Sequence, residues 1–227
     1  MSGKRLRILD ERALPMLVMV CDRRIRVCGS CNAPARTPTV RSTVPLRKWL
    51  TSDVVISLRP LIAADASTLA SWAVDPVFCA HAGWRLRESP VDALEWWQNA
   101  IVHADPKLVR LLALSDSDPV GYVDLHGDEG GRRELGYLVG PSARWGQGLG
   151  TAVARCALEF GFTELGLESI WAEAIEANTA SVRVLRRLSM QPAGVGNRAE
   201  FLGARSRYLM FELSRHDWFE RQTESAR

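Results

Sequence analysis

Three glycines at alternate positions, Gly146, Gly148 and Gly150, stand at the head of an unbroken helical stripe, and this junction constrains the chain more than any other feature. The stripe runs through Leu149, Ala152, Val153, Cys156, Ala157 and Phe160, a spacing that predicts a helix from Gly148 to about Leu165. Ahead of the loop, Arg133 to Val139 reads as a strand. Such a strand–loop–helix turn gathers main-chain N–H groups at the positive end of a helix dipole. It is a ready anion site, and a pyrophosphate is its natural occupant.

The neighbouring pattern says what kind of sheet holds this turn. Leu108 to Leu114, Val120 to His126 and Arg133 to Val139 read as three strands, separated by the turn signals Asp116 to Pro119 and Gly127 to Arg132. Strands joined this closely pair antiparallel. Upstream, Val54 to Arg59 reads as a strand, Asp65 to about Val74 as a helix, and Ser89-Pro90 as the start of another helix with Val91, Leu94, Trp97 and Ile101 on one face. Downstream come a strand at Ser169 to Ile175, a helix at Asn178 to Leu188, and two strands at about 193–202 and 205–213. The expected class is α+β, a mixed and mostly antiparallel sheet flanked by about four helices.

Three nucleotide motifs compete for the loop. A Walker loop needs Lys-Ser/Thr after its last glycine, whereas Thr151 follows Gly150 directly. A dinucleotide fingerprint needs a glycine three places after Gly148, where Thr151 stands, and a parallel strand before it. The segment Trp145-Gly146-Gln147-Gly148-Leu149-Gly150-Thr151 instead resembles the acetyl-CoA loop of the GNAT superfamily of N-acetyltransferases, with Gly148 and Gly150 as its glycines. Trp145 departs from the usual Gln or Arg, but Trp-Gly-x-Gly is similar to the form found in the RimJ/RimL-like branch, the ribosomal-protein N-terminal acetyltransferases and their relatives. A second segment, Asn178 to Met190, resembles the superfamily's NxxSxxVLxKLGF helix, with Ser189-Met190 in place of Gly-Phe. The likeness covers residues 54 to 213.

The resemblance implies a fold, an activity and a set of roles. The fold is that of the superfamily, and the donor is acetyl-CoA, with no metal. Residues Trp145, Gly146, Gln147, Gly148, Leu149, Gly150 and Thr151 would hold its diphosphate. Tyr137, Leu138 and Val139 on the preceding strand would line the pantetheine arm, with the Val139 amide polarising the thioester carbonyl, and Asn178 would open the wall opposite. Many members protonate the departing thiolate with a Tyr on the later helix; Leu185 occupies that position here. The RimL-like branch uses a Ser, matched by Ser181, and a base on the following strand, matched by Glu200. Glu134 is the alternative base, and an ion pair of Glu134 with Arg132 or Arg110 is the structural alternative to that role. The acceptor would be a primary amine, either a protein N-terminus or a small molecule, in a cleft walled by helices near residues 65 to 104. Asp75, Glu88, Asp92 and Glu95 could draw a cation to it.

Charge sets the first fifty residues apart. Eleven of the 29 Lys/Arg but only four of the 26 Asp/Glu precede residue 54. Residues 1–53 are therefore expected to be a basic, disordered arm, 54–215 the transferase domain and 216–227 a C-terminal tail. Cys28 and Cys31 form a CxxC, but a zinc site wants four ligands and no His lies near. No apolar run approaches the roughly 18–20 residues that cross a bilayer. The apolar stretch Ala13 to Cys21 lacks a small-residue cleavage site, so the expectation is a cytoplasmic protein with no membrane and no DNA partner. A homodimer is open to such a chain. Two rival functions are a non-catalytic acyl-CoA-binding regulator and a ribosome- or RNA-associated module led by the arm.

Overall fold

Alternating burial along β-branched and leucine-rich segments builds a sheet that carries helices on both faces. The computed structural model describes residues 47–50, 55–129 and 131–225. The strands are β1 (Arg47–Leu50), β2 (Val55–Pro60), β3 (Leu108–Ser115), β4 (Asp118–Glu129), β5 (Arg132–Val139), β6 (Ser169–Ile175), β7 (Gln191–Phe201) and β8 (Ala204–Ser214). The helices are α1 (Ala66–Trp72), α2 (Pro76–Ala82), α3 (Val91–Val102), α4 (Leu149–Thr163), α5 (Thr179–Arg187) and α6 (Arg215–Ser225). Strand order is β1-β2-β3-β4-β5-β6-β8-β7, and every neighbour pair is antiparallel except β5–β6. The α+β class with a mixed, mostly antiparallel sheet is the one expected.

Two cores follow from the two faces. Leu135, Tyr137 and Val139 of β5 pack on Leu149, Val153, Cys156 and Ala157 of α4, with Val182 and Leu185 of α5 in the same cluster. On the opposite face, Leu112, Leu114 and Tyr122 meet Leu69, Trp72, Phe78 and Trp97 of the first three helices. Trp97 is 2% exposed, and truncating such a side chain to Ala typically costs about 3–5 kcal/mol. Val91, expected on the buried stripe of α3, is exposed, and Ala93 takes the inward place beside Trp97.

Three further elements depart from expectation. Strand β1 lies inside the segment read as a disordered arm and pairs with β2; the rest of that arm, including Cys28 and Cys31, lies outside the described residues. The C-terminal segment set aside as a tail forms α6, which buries Trp218 against Phe162. Helix α2 was missed altogether. Its signals are nonetheless ordinary: Asp75 accepts from the Phe78 N–H at 2.9 Å, Pro76 takes the first helical position, and Gly83 ends it at φ 64°.

The feature that positions the site is a failure of pairing. Parallel contacts between β5 and β6 run only through Arg132↔Ser169, Arg133↔Ile170 and Glu134↔Trp171. Beyond them both strands continue, to Val139 and Ile175, without each other. The sheet opens into a wedge there.

Candidate active site

Main-chain direction along β5 follows from one hydrogen bond. The Gly140 N–H donates to the Val120 carbonyl at 3.0 Å, so Gly121↔Val139 and Val123↔Tyr137 are non-hydrogen-bonded pairs of the β4–β5 ladder. The N–H and C=O groups of Tyr137 and Val139 therefore face away from β4, into the wedge. The Val139 carbonyl is occupied by the Trp145 indole N–H at 2.8 Å. The Val139 amide is directed into the wedge. Leu138 lies in a hydrogen-bonded pair, which turns its amide to β4.

Below the wedge lies the glycine loop. Gly146 and Gly148 both sit at φ 80°, a conformation that disfavours any side chain, and a Cβ on either would meet no atom within 4 Å. Among the described residues no side chain caps α4; the Thr151 N–H donates to the Gly148 carbonyl at 3.1 Å, and the Leu149 and Gly150 amides stand ahead of it at the head of the helix.

A cavity of about 490 Å³ joins loop and wedge. Its walls include Tyr137, Leu138, Val139, Trp145, Gly146, Gly148, Leu149, Gly150, Thr151, Asn178 and Ser181, all of them expected from the sequence. Arg144, Arg183 and Arg187 also line it and give it a basic mouth, suited to an anionic ligand. Asn178 caps α5 by accepting from the Ser181 N–H at 3.2 Å. The cap sets Ser181 in the first turn, 6% exposed, with its hydroxyl 3.3 Å from that of Tyr137. Burial raises the Tyr137 phenol far above its ordinary pKa, against the opposing effect of the Ser181 hydrogen bond, and keeps it protonated.

Some expected residues are elsewhere. Gln147 is exposed, turns its amide back to the Ala143 carbonyl at 3.4 Å, and does not line the cavity. Glu200 is also exposed and outside the cavity wall. Strand alternation is the reason: Ala199 and Phe201 pack inward with Ile175 and Tyr208, which turns Glu200 to the other face, opposite Arg205. Glu134 is buried on β5, in register with Trp171 of β6. Arg110 gives Nε and Nη2 to Asp124 at 2.7 and 2.6 Å, and Arg132 binds Glu212. Asp75, one of the four acids expected to be able to draw a cation to the cleft, joins α2 to the loop region by accepting from the Ser142 N–H at 2.8 Å.

Two wall residues come from α2, which the sequence reading passed over: His81 and Ala82. The His81 ring meets Trp145 edge-on at 5.0 Å and Phe201 at 5.4 Å, so it joins the loop to the β7–β8 hairpin. The signal that could have found it is the Asp75-Pro76 helix start, which places His81 in the last turn of a short helix.

A profile for the family described as "Acetyltransferase (GNAT) domain" matches residues 56–191, well over half of the chain. The chain belongs to the GNAT acetyltransferase family. Among curated proteins, this GNAT chain is similar to an uncharacterized N-acetyltransferase, p20, of Bacillus licheniformis, 37% identical over 67 residues. Those residues are 30% of this chain and 37% of the relative, so the match spans little more than a third of the relative's length. Among solved structures, it is similar to spermidine N-acetyltransferase from Vibrio cholerae in complex with CoA and spermine (TM-score 0.61, 18% identity, 72% of this chain and 98% of that one). It is likewise similar to ribosomal-protein-S5-alanine acetyltransferase from Vibrio fischeri (TM-score 0.59, 17% identity, 76% and 98%). At such identities the likeness speaks for the GNAT fold alone. Among the described residues no helix is long and apolar enough to cross a membrane.

Proposed function

We propose that this GNAT chain moves an acetyl group from acetyl-CoA to a primary amine. The observation that carries the reading is the buried Tyr137–Ser181 hydroxyl pair, set in the same cavity as the open glycine loop and the unpaired edge of β5. Diphosphate oxygens would accept from the amides of Gly146 to Thr151, with Arg144, Arg183 and Arg187 balancing their charge. The Val139 amide would receive the negative charge that develops on the thioester oxygen. Ser181, backed by the Tyr137 phenol, would hand a proton to the departing sulfur. Leu185 offers no hydroxyl, and a phenol arriving from β5 supplies what the helix lacks.

For the acceptor, Trp145-Gly-x-Gly supports a likeness to the RimJ/RimL-like branch and hence to a protein N-terminus. The names of the similar structures mention both a polyamine and a ribosomal-protein alanine. A CoA-release assay with spermidine, an aminoglycoside and a peptide beginning with alanine tests the reading. Release of one thiol per acetylated amine is expected. Acetyl-CoA binding with no release for any amine would reduce the protein to a binding module.

A further inference from the structure

We propose that His81 is the general base that takes the proton from the acceptor ammonium. The inference rests on the transferase reading above and adds the one group that reading lacks.

The tautomer is fixed by chemistry. His81 Nδ1 lies 2.9 Å from the Val77 carbonyl, which can only accept, so Nδ1 carries the proton in the neutral ring. The lone pair is then on Nε2, and among the described residues no hydrogen bond or ion pair engages that atom. The ring is held on two sides by Trp145 and Phe201, and the residue lines the cavity. Trp145 locates it further. The same indole that meets the His81 ring donates to the Val139 carbonyl, so the imidazole stands at the end of the cavity where the oxyanion amide lies.

The geometry also explains the displaced glutamate. On β7 the inward residue is Phe201, not Glu200, and Phe201 abuts the His81 ring. The position a strand carboxylate would fill is filled by an aromatic, and the helix across the cleft contributes the base.

The step balances. The ammonium gives one proton to His81 Nε2, and the freed nitrogen attacks the thioester carbon. The C–N bond forms, the C–S bond breaks, and the sulfur takes the Ser181 proton. The second nitrogen proton restores the Ser181 hydroxyl, and the imidazolium proton passes to water. The charged groups on the elements around the ring are Asp75 at the start of α2, Arg144 beside Trp145, Arg183 and Arg187 across the cavity on α5, and Glu200 and Arg205 at the hairpin end.

The test uses the full chain with the amine that turns over fastest in the screen above. His81→Gln should lower kcat roughly 10²- to 10³-fold, within the usual range for general-base loss, and leave acetyl-CoA affinity and Tm nearly unchanged. Any acid limb of the wild-type kcat/KM profile that reports the base should vanish with it. Added imidazole should restore part of the activity of His81→Ala, which a purely structural ring would not permit. In parallel, 15N spectra of labelled histidine in the ligand-free protein should show the Nδ1–H tautomer. Wild-type turnover in His81→Gln, or a ring protonated at Nε2 alone, overturns the assignment. Loss of acetyl-CoA binding or of all turnover in the wild type would strike the transferase reading itself.

Discussion

The Tyr137 hydroxyl lies 3.3 Å from the Ser181 hydroxyl, bridging the strand that leads into the glycine loop and the helix that follows β6. Neither residue is near the other in sequence, and neither is exposed. The contact joins the two sides of the wedge.

That contact makes the pair non-additive. Ser181→Ala should lower kcat about 10²-fold, and Tyr137→Phe by about tenfold, with acetyl-CoA affinity retained. The double variant should be hardly worse than Ser181→Ala, because one proton path is lost either way. Since burial keeps the phenol protonated, Tyr137→Phe should leave the shape of the pH–rate profile unchanged. Independent, multiplying effects in steady-state kinetics would separate the two hydroxyls.

The loop can be separated from its own backbone strain. Gly148 (φ 80°) and Gly166 (φ 64°) lie at opposite ends of α4, and both disfavour a side chain. Ala at either should cost about 1–2 kcal/mol of stability. Only Gly148→Trp, whose indole would enter the diphosphate path, should abolish acetyl-CoA binding measured by calorimetry. Normal affinity in that variant would contradict the loop assignment.

Glu200→Gln should change kcat by less than about twofold, since the side chain faces away from the cavity. A loss of about 10²-fold at unchanged acetyl-CoA affinity would return Glu200 to the mechanism.

Asp75 makes the stability of the α2 start depend on pH. Burial alone would raise its pKa, but hydrogen bonds from Phe78, Ser142 and Val77 outweigh this and hold it below the ordinary carboxylate value. A depressed folded pKa gives stability that is present above the unfolded value of about 3.9 and is lost as pH falls through the folded one. Asp75→Asn should therefore lower Tm at neutral pH, with a smaller deficit below about pH 4. Removing the cap entirely with Ala should cost about 1 kcal/mol and, through α2, loosen His81. Equal deficits at pH 3 and pH 7 in thermal melts would remove the carboxylate from this role.

What the sequence made legible was whatever short-range pattern encodes. The α4 stripe, the three meander strands and the Asn178 cap are local, and each is where periodicity and capping chemistry predict. The main-chain site was legible for the same reason, because glycine spacing and a helix start report on each other. Tyr137 was read for its backbone alone, since only the parallel register of β5 and β6 brings its phenol to Ser181. Which face Glu200 takes was a single-residue question, which Ala199 and Phe201 decide by packing. Helix α2 was short enough to hide between two stronger signals, and His81 went with it.

The two antiparallel ladders of the sheet are joined to one another through three positions, from Arg132 to Glu134 against Ser169 to Trp171. Helix α4 packs beneath both, against β2, β4, β5 and β6. The opening is therefore a gap in main-chain pairing rather than in packing: one helix spans both ladders from beneath while their edges part above it.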